Sequence, residues 1–440
     1  MPTAIETWWA GRHRAVSAAS LALFERTLGL VLWVAVVRFF AHDWIHQLYV
    51  VPKLHFHYYG FGFVQPWPEP WLSLWFLALG ALGLLLASGY NHRGIIALAL
   101  LAFGYVELLD AINYLNHYYF LSCALFLMLL VPRPRLGGQV PAWSLWAFRL
   151  MVGLVYFYAG LAKLEPDWLL RGEPLASWLH GRRELGAIGG VLERRDVARL
   201  MAWAGLALDL SIPLWLSLRR TRSYAFVVVI LFHGITGWLF PIGVFPWVMT
   251  LAATLFFAPD WPRCWAARWL PWPVESTLPF PAARWRGALV VVFLVLQVGL
   301  PLRHLLYPGP VVWGEEGFRF SWRVMLVEKH GVVRYQVTVP AEGRTYEVYP
   351  ESYLTPLQLQ QLGGQPELIL QLAHHVAREF RAAGHLDPEV RAEAWLSLNG
   401  QPLARLIDPL VDLAQVEDGL GPKRWILSPQ EEPPSTRAGP

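Results

Sequence analysis

Nine apolar stretches, each about long enough to cross a lipid bilayer, limit what this 440-residue chain can fold into. An α-helix of about 20 mostly apolar residues spans the hydrocarbon core of a bilayer. The apolar stretches cover residues 21–40, 71–87, 94–109, 114–131, 145–162, 200–218, 224–239, 244–257 and 288–305. This pattern predicts an α-helical polytopic membrane protein with about nine transmembrane helices surrounded by lipid.

The composition also favours a membrane protein. Hydrophobic residues make up 55% of the chain and charged residues 15%, and there are 24 tryptophans. The first apolar stretch contains Glu25, Arg26 and Arg38 and lacks a small-residue cleavage site, so it is not typical of a cleaved signal peptide. We therefore expect it to remain as a membrane helix.

The basic residues between the apolar stretches predict the orientation of the chain. If the N-terminus is cytoplasmic, most of them fall on the cytoplasmic side, as the positive-inside rule requires. They are Arg12, Arg14, Arg93, Arg133, Arg135, Arg219, Arg220, Arg222, Arg263, Arg268, Arg284 and Arg286. They explain the net charge of +4, which therefore gives no reason to expect nucleic acid as a partner. The chain has no Asn-x-Ser/Thr sequon, which favours the inner membrane of a bacterium.

Nine spans place the chain after about Tyr307 outside the cytoplasm, and its pattern there predicts an extracytoplasmic α+β domain. Valines and Tyr335 alternate with polar residues from Val333 to Val339, which predicts a half-buried strand, and residues 345–349 predict a second strand. We assign residues 1–306 to a transmembrane domain with the functional site, residues 307–427 to the α+β domain, and residues 428–440 to a disordered tail.

Further elements of the α+β domain have clear signals. Thr355-Pro356 is typical of a helix start, and apolar residues from Leu368 to Phe380 recur at helical spacing. Residues 391–398 alternate again, and Asn399-Gly400 predicts a two-residue hairpin turn.

Lys163 is the residue that most needs explanation. It ends the apolar stretch 145–162, where an ammonium is costly. The side chain either reaches back to water along its apolar stem or serves as a base. In an apolar pocket, loss of solvation lowers the pKa of a lysine, so that a neutral amine is available near neutral pH. Position alone leaves both interpretations open.

Other polar groups are expected on the same side of the membrane as Lys163. His117 begins the fourth predicted span, His233 lies within the seventh, and Asp110 ends the third. Each histidine alone is explained by a hydrogen bond between helices. Four ionisable residues on one side favour a functional site instead.

The sequence offers no convincing metal site. His42 and His46, His55 and His57, and the adjacent His374-His375 each lack a third ligand at suitable spacing. The aromatic loop around His55 is more typical of an interfacial belt or a pocket lid. We expect no metal.

Collinear segments along nearly the whole chain resemble the vitamin K-dependent γ-glutamyl carboxylase family. Those segments are residues 20–24, 115–118, 155–168, 208–210, 232–233, 239–245, 259–262, 320–325, 395–399 and 407–409. They include Leu115-Asn116-His117-Tyr118, Leu161-Ala162-Lys163-Leu164-Glu165 and Phe320-Ser321-Trp322-Arg323-Val324-Met325.

The resemblance implies a defined chemistry. A lysine, here matching Lys163, deprotonates vitamin K hydroquinone, and a histidine matching His117 stabilises the developing anion. O2 converts the quinol to its epoxide through a strong base, which removes a γ-proton from a peptide glutamate. The resulting carbanion takes up CO2. The resemblance thus implies a glutamate-containing peptide or protein as a substrate.

Residues around these two are expected to complete the site. We expect Asn116, Tyr156, His233, Trp322 and Met325 to contact the quinol. Trp322 and Met325 would form the wall of a groove for glutamate, and Arg319 or Arg323 would pair with the substrate carboxylate.

The chain also departs from the animal members of this family. It has Ala162 where they carry the first of two lysines, and Arg323 where they carry an acidic residue. It lacks their long C-terminal extension and their disulfide. Three alternatives therefore remain: a quinol epoxidase without carboxylation, an oxidase of another quinol such as menaquinol, and a non-catalytic quinone-binding or scaffold protein.

Overall fold

The computed structural model describes residues 14–90, 93–266 and 284–429. The described part of the chain before residue 307 consists mainly of helices. The helices of the bundle and its connections are α1 (Ala19–Ala41), α2 (Trp71–Ser88), α3 (Arg93–Leu109), α4 (Asn116–Leu130), α5 (Ala142–Ala162), α6 (Leu175–His180), α7 (Ala187–Leu192), α8 (Arg195–Ser217), α9 (Arg222–Leu239), α10 (Phe245–Ala253), α11 (Trp261–Ala266) and α12 (Arg284–Gly299). A short antiparallel ribbon of β1 (Ala15–Ser17) and β2 (Gln139–Pro141) joins two connections.

Within the described residues, six helices are long and apolar enough to cross a membrane. They are α1, α2, α5, α8, α9 and the helical segment Trp285–Leu306, which begins in α12 and ends in a 3₁₀ turn. The other three predicted spans are shorter helices: α3 has 17 residues, α4 has 15 and α10 has 9. The protein is an integral membrane protein, but the predicted count of nine spans is not confirmed.

Small residues let pairs of helices in the bundle approach closely. A Cβ atom added to Gly29 of α1 would come within 2.5 Å of the carbonyl oxygen of Gly83 in α2. A Cβ atom added to Gly160 of α5 would come within 2.9 Å of the backbone nitrogen of Leu210 in α8. Close packing through small residues is how membrane helices associate without a hydrophobic driving force. The second contact also fixes the distance between Lys163, just beyond α5, and Asp209 in α8.

The C-terminal region contains a four-stranded antiparallel sheet covered by a helix. Its elements are α13 (Val311–Gly314), β3 (Lys329–Val339), β4 (Arg344–Val348), α14 (Pro356–Leu362), α15 (Pro366–Ala382), β5 (Glu389–Leu398) and β6 (Ala404–Arg405), with strand order β4-β3-β5-β6. Val337 lies opposite Tyr346 on one side and Val390 on the other. The alternating residues of β3 that the sequence predicts to be buried are buried. Val333, Tyr335 and Val337 belong to the same hydrophobic core as the apolar residues of α15.

The predicted helix start at Thr355 and the predicted hairpin turn at Asn399-Gly400 have different outcomes. Thr355 caps α14, and its side chain forms a reciprocal capping box with Gln358. Asn399 and Gly400 both have positive φ and form a tight turn that the Gln401 N–H closes on the Leu398 carbonyl. The predicted two-residue hairpin is nevertheless wrong, because pairing with β5 resumes only at Ala404.

Side-chain contacts attach the C-terminal region to the bundle. Asp167, just after α5, accepts hydrogen bonds from Asn399 and Gln401, both at 3.1 Å. Gln371 of α15 exchanges two hydrogen bonds with the backbone of His57, at 2.8 and 2.9 Å. These contacts attach the C-terminal region to the segment that follows α5 and to the loop that precedes α2. The predicted disordered tail falls almost wholly outside the described residues, as do Arg12 and Arg268.

Candidate functional site

An apolar cavity of about 260 Å³ lies inside the bundle, beneath the C-terminal region. Its walls come from α5, α8, α9 and α10, and from the residues just before β3. The lining residues that bear on its chemistry are Tyr156, Lys163, Asp209, His233, Phe245 and Met325. The rest of the lining is almost wholly apolar, so the few polar groups decide what the cavity can bind.

Lys163 and Asp209 form a buried ion pair at one end of this cavity. The Lys163 Nζ atom lies 2.9 Å from Asp209 Oδ2, and the two residues are only 5% and 4% exposed. Nζ also lies within hydrogen-bond distance of the carbonyl oxygens of Ala159 at 3.2 Å and Val324 at 3.4 Å. All three donors of the ammonium are therefore occupied. A buried charge is tolerated only when it is paired and hydrogen-bonded in this way.

The local structure explains why a lysine is stable at this position. Lys163 is the C-terminal cap of α5, where the helix dipole favours a cation. The Trp168 ring lies 5.2 Å from Nζ, within the range of a cation–π contact. Lys163 does not reach back to water, so that interpretation is wrong. The amine is also not alone in an apolar pocket, because Asp209 compensates its charge.

A second polar pair lies deeper along α5. The Tyr156 hydroxyl and the His233 Nε2 atom are 2.7 Å apart, and both residues line the cavity. The other ring nitrogen of His233, Nδ1, is buried and has no hydrogen-bond partner among the described residues. Tyr156 precedes Lys163 by seven residues, but the Lys163 amine reaches back to the Ala159 carbonyl, which is only three residues beyond Tyr156. Two polar groups therefore face one apolar cavity.

His117 does not line this cavity. Its buried ring lies 4.6 Å from the Tyr118 ring and 6.1 Å from the Phe245 ring, measured between centroids. Phe245 does line the cavity, and its ring lies 5.8 Å from that of His233. The Phe245 ring thus contacts both histidines, whereas no hydrogen bond joins His117 to Lys163 in the described part of the chain.

Val324 and Met325, at the end of the segment 318–325, line the cavity on the side of the C-terminal region. Asn116 holds this segment by donating a hydrogen bond of 3.1 Å to the Arg323 carbonyl. Phe320, Trp322 and Met325 have backbone φ values of 59°, 58° and 53°, which residues other than glycine rarely adopt. Such strain persists only when the surroundings fix the backbone. Here Trp322 is fully buried and stacks on Tyr119 with 4.8 Å between ring centroids.

The two arginines predicted to bind a carboxylate differ in availability. The Arg319 guanidinium donates to Glu367 and Gln365, both at 2.6 Å, so a carboxylate already occupies it. The Nε and Nη1 atoms of Arg323 are buried and have no hydrogen-bond partner among the described residues, and the Glu165 carboxylate lies 4.0 Å from Nη1. Burial lowers the pKa of the Arg323 guanidinium. Arg323 thus retains free donors for an anion.

A larger, polar cavity of about 460 Å³ lies between the C-terminal region and the bundle. Arg319, Glu328 and Lys329 line it, together with Trp178. The Trp178 ring lies 5.8 Å from that of Phe240, which lines the apolar cavity. The two rings therefore stand between the polar and apolar cavities.

The sequence suggests that Asp110 belongs to the functional site, but its contacts in the structure stabilise a loop instead. Its carboxylate accepts hydrogen bonds from the backbone N–H groups of Phe56 at 3.3 Å and Ile112 at 3.1 Å, and it lies 3.3 Å from His55 Nδ1. It anchors the aromatic loop. No cluster of three or more potential metal ligands occurs in the described segments.

Sequence reasoning missed the role of Asp209. The signal was available, because Asp209 is a lone carboxylate in the middle of a predicted apolar span. What the spacing did not reveal was its partner, since Lys163 and Asp209 lie 46 positions apart in sequence on different elements.

Comparison with known protein families gives two matches. The HTTM domain family matches residues 13–261, more than half of the chain. The family described as the lumenal domain of vitamin K-dependent gamma-carboxylase matches residues 282–432. No solved structure matches the chain.

Proposed function

The chain belongs to the vitamin K-dependent gamma-carboxylase family. On that premise we propose that it oxidises vitamin K hydroquinone with O2. We propose further that it couples this oxidation to γ-carboxylation of peptide glutamate. The ion pair of Lys163 and Asp209 inside an apolar cavity is the observation that carries the proposal. A lipid-soluble quinol partitions into the bilayer, which surrounds the helices that form this cavity.

The residues of the apolar cavity fit a hydroquinone. Its two hydroxyl groups lie on opposite sides of an aromatic ring, and two polar pairs, Lys163–Asp209 and Tyr156–His233, line the cavity. Each pair can form a hydrogen bond with one hydroxyl group, and the apolar walls can pack against the ring. The Nδ1 atom of His233 is buried and has no hydrogen-bond partner among the described residues, so a bound hydroxyl can satisfy it.

We assign proton removal to the Lys163–Asp209 pair. The amine and the carboxylate are 2.9 Å apart, so the pair can hold one proton on either atom and accept another from a phenolic hydroxyl. At the other end, Tyr156 and His233 orient the ring. The apolar walls and the 318–325 segment exclude water, which would otherwise quench a strong base. When bound, the hydroquinone together with O2 would supply the base that removes the glutamate γ-proton. CO2 would then add to the carbanion.

We place the glutamate on the side of the C-terminal region. Val324 separates Arg323 from Met325, and its carbonyl contacts Lys163 while Met325 lines the apolar cavity. A glutamate carboxylate that takes the free donors of Arg323 therefore brings its γ-carbon close to the cavity. The polar cavity provides room for the flanking peptide. Arg319 has a lesser part than the sequence predicts, because Glu367 already pairs with it.

A second candidate function is quinol oxidation without carboxylation. The Glu165 carboxylate supports it, because it lies 4.0 Å from Arg323 Nη1, where a substrate carboxylate would otherwise bind. An assay of the purified protein with hydroquinone, O2, a glutamate peptide and labelled bicarbonate distinguishes the two. Epoxide with label fixed in the peptide supports the carboxylase, and epoxide without fixed label supports the epoxidase.

A further inference from the structure

A second small cavity lies at the border between the bundle and the C-terminal region. It has a volume of about 260 Å³ and shares no lining residue with the apolar cavity. We name it the Glu107 cavity after the carboxylate that lines it, which belongs to α3. Nothing in the proposed chemistry uses this carboxylate.

Glu107 is unusual because no donor or cation pairs with its carboxyl group in the described part of the chain. By contrast, Asp110, three residues later, has His55 and two backbone N–H groups as partners. An ionisable residue near the membrane is costly, and one that faces a cavity without a partner indicates a ligand.

The walls of the Glu107 cavity indicate the kind of ligand. Tyr49 and Tyr118 line it, and Asn113 and Gln361 add amide groups. Trp44 lines it as well, but the Arg38 guanidinium already lies 5.2 Å from the Trp44 ring. A carboxylate among aromatic rings is a favourable site for an organic cation, because the ring faces and the carboxylate both attract positive charge.

The position of the cavity indicates where the cation comes from. Leu357 and Gln361 of α14, in the C-terminal region, form part of its lining. Ile112, Leu115 and Gln361 line both the Glu107 cavity and the polar cavity. The two cavities therefore adjoin, and a side chain can enter the Glu107 cavity from a peptide in the polar cavity.

We propose that the Glu107 cavity binds the ammonium or guanidinium group of a basic side chain in a peptide held on the side of the C-terminal region. The proposal rests on the proposed function for the assignment of that peptide as the carboxylation substrate. It adds that a lysine or arginine near the glutamate strengthens binding.

Calorimetric titration of the protein in dodecyl maltoside, without hydroquinone, tests this. The probes are acetyl-Gly-Lys-Gly-Glu-Gly-amide and the same peptide with norleucine in place of lysine. We expect the lysine peptide to bind at least about tenfold more tightly, a preference that corresponds to about 1.4 kcal/mol. Glu107→Gln should abolish the preference, whereas Glu351→Gln, at an exposed position, should keep it.

Equal affinity for both peptides, or a preference that survives Glu107→Gln, would overturn the proposal. If Glu107→Gln does not fold, Tyr118→Leu replaces it and should weaken the preference through loss of an aromatic wall. Added phosphatidylethanolamine should not change the preference for the lysine peptide. If the lipid abolishes that preference, the cavity binds a lipid headgroup and the proposal is wrong. Hydroquinone oxidation is measured in a separate assay without peptide. A protein that does not oxidise hydroquinone is therefore distinguishable from one that does not prefer the lysine peptide.

Discussion

Lys163 Nζ and Asp209 Oδ2 lie 2.9 Å apart at the point where the Gly160 contact brings α5 against α8. Each charge makes the other tolerable in an apolar interior, so the two side chains function as one unit. The unit faces a cavity and the carbonyl of Val324 in the C-terminal region. Folding and proton transfer therefore depend on the same contact.

Removing one partner of this pair should destabilise the protein. Lys163→Ala leaves the Asp209 carboxylate buried without a counter-charge, and loss of one partner of a buried pair typically costs about 3–5 kcal/mol. If Lys163 were an unpaired amine in the membrane, as the sequence alone suggests, the same change would leave folding largely intact; the ion pair with Asp209 reverses that expectation. We expect both Lys163→Ala and Asp209→Asn to lower the thermal unfolding temperature in detergent.

The double variant separates stability from chemistry. Lys163→Met with Asp209→Leu removes both charges and fills the space, which is often neutral or stabilising. We expect it to regain most of the wild-type unfolding temperature while remaining unable to oxidise hydroquinone. Asp196→Asn, at an exposed surface pair with Arg194, is the matched control and should change neither property. A double variant as unstable as the single ones would contradict this account of the pair.

Removing the Tyr156 hydroxyl should weaken quinol binding and orientation. Tyr156→Phe keeps the ring but leaves His233 Nε2 without its 2.7 Å partner. We expect a loss of about tenfold in kcat/KM for hydroquinone, which corresponds to about 1.4 kcal/mol for one hydrogen bond, with no change in KM for the peptide. Tyr158→Phe, which removes a hydroxyl bonded to the Val298 carbonyl, is the control in the same helix. Equal losses in both variants would mean that the Tyr156 effect is structural.

Arg323 and Arg319 should give different effects when replaced by glutamine. Arg323→Gln removes the free donors and should raise the KM for a glutamate peptide about tenfold, or about 1.4 kcal/mol, while KM for hydroquinone stays constant. Arg319→Gln instead leaves Glu367 unpaired and should lower the unfolding temperature. Steady-state kinetics with each substrate varied in turn measures the two KM values, and thermal unfolding in detergent measures the stability of Arg319→Gln. An unchanged peptide KM in Arg323→Gln would exclude it as the carboxylate ligand.

Opening the contact between the polar and apolar cavities should uncouple the two half-reactions. Trp178→Ala removes the ring that faces Phe240 and admits water to the base. We expect the ratio of epoxide to carboxylated peptide to rise several-fold. Trp247→Ala, at a position 70% exposed, is the control and should keep the wild-type ratio. If the ratio does not change in Trp178→Ala, the two rings do not control coupling.

The elements predicted best from the sequence are those governed by local periodicity. The strand through Tyr335 and Val337 and the helix that starts at Thr355 both form where alternation and capping place them. Their signals lie within about 10 residues of chain, so neighbouring side chains alone reveal them. The short α10 shows the limit, because apolar composition over residues 244–257 does not determine helix length.

The site was less predictable because its contacts join distant elements. Lys163 and His233 were recognisable as unusual residues, but the pairing of Lys163 with Asp209 depends on how closely two helices pack at Gly160. Similarly, the sequence does not reveal that the Phe245 ring contacts both His117 and His233. The role that the family resemblance implies for His117 stays a prediction.

The most direct test of the central claim is chromatographic measurement of vitamin K epoxide formed by the protein in nanodiscs with hydroquinone and O2. We predict epoxide well above a protein-free control, and a loss of about 100- to 10,000-fold in the folded Lys163→Met/Asp209→Leu variant, the range for positioned acid–base groups. Absence of epoxide with the wild type, or wild-type activity in that variant, would contradict the assignment of this pair as the base.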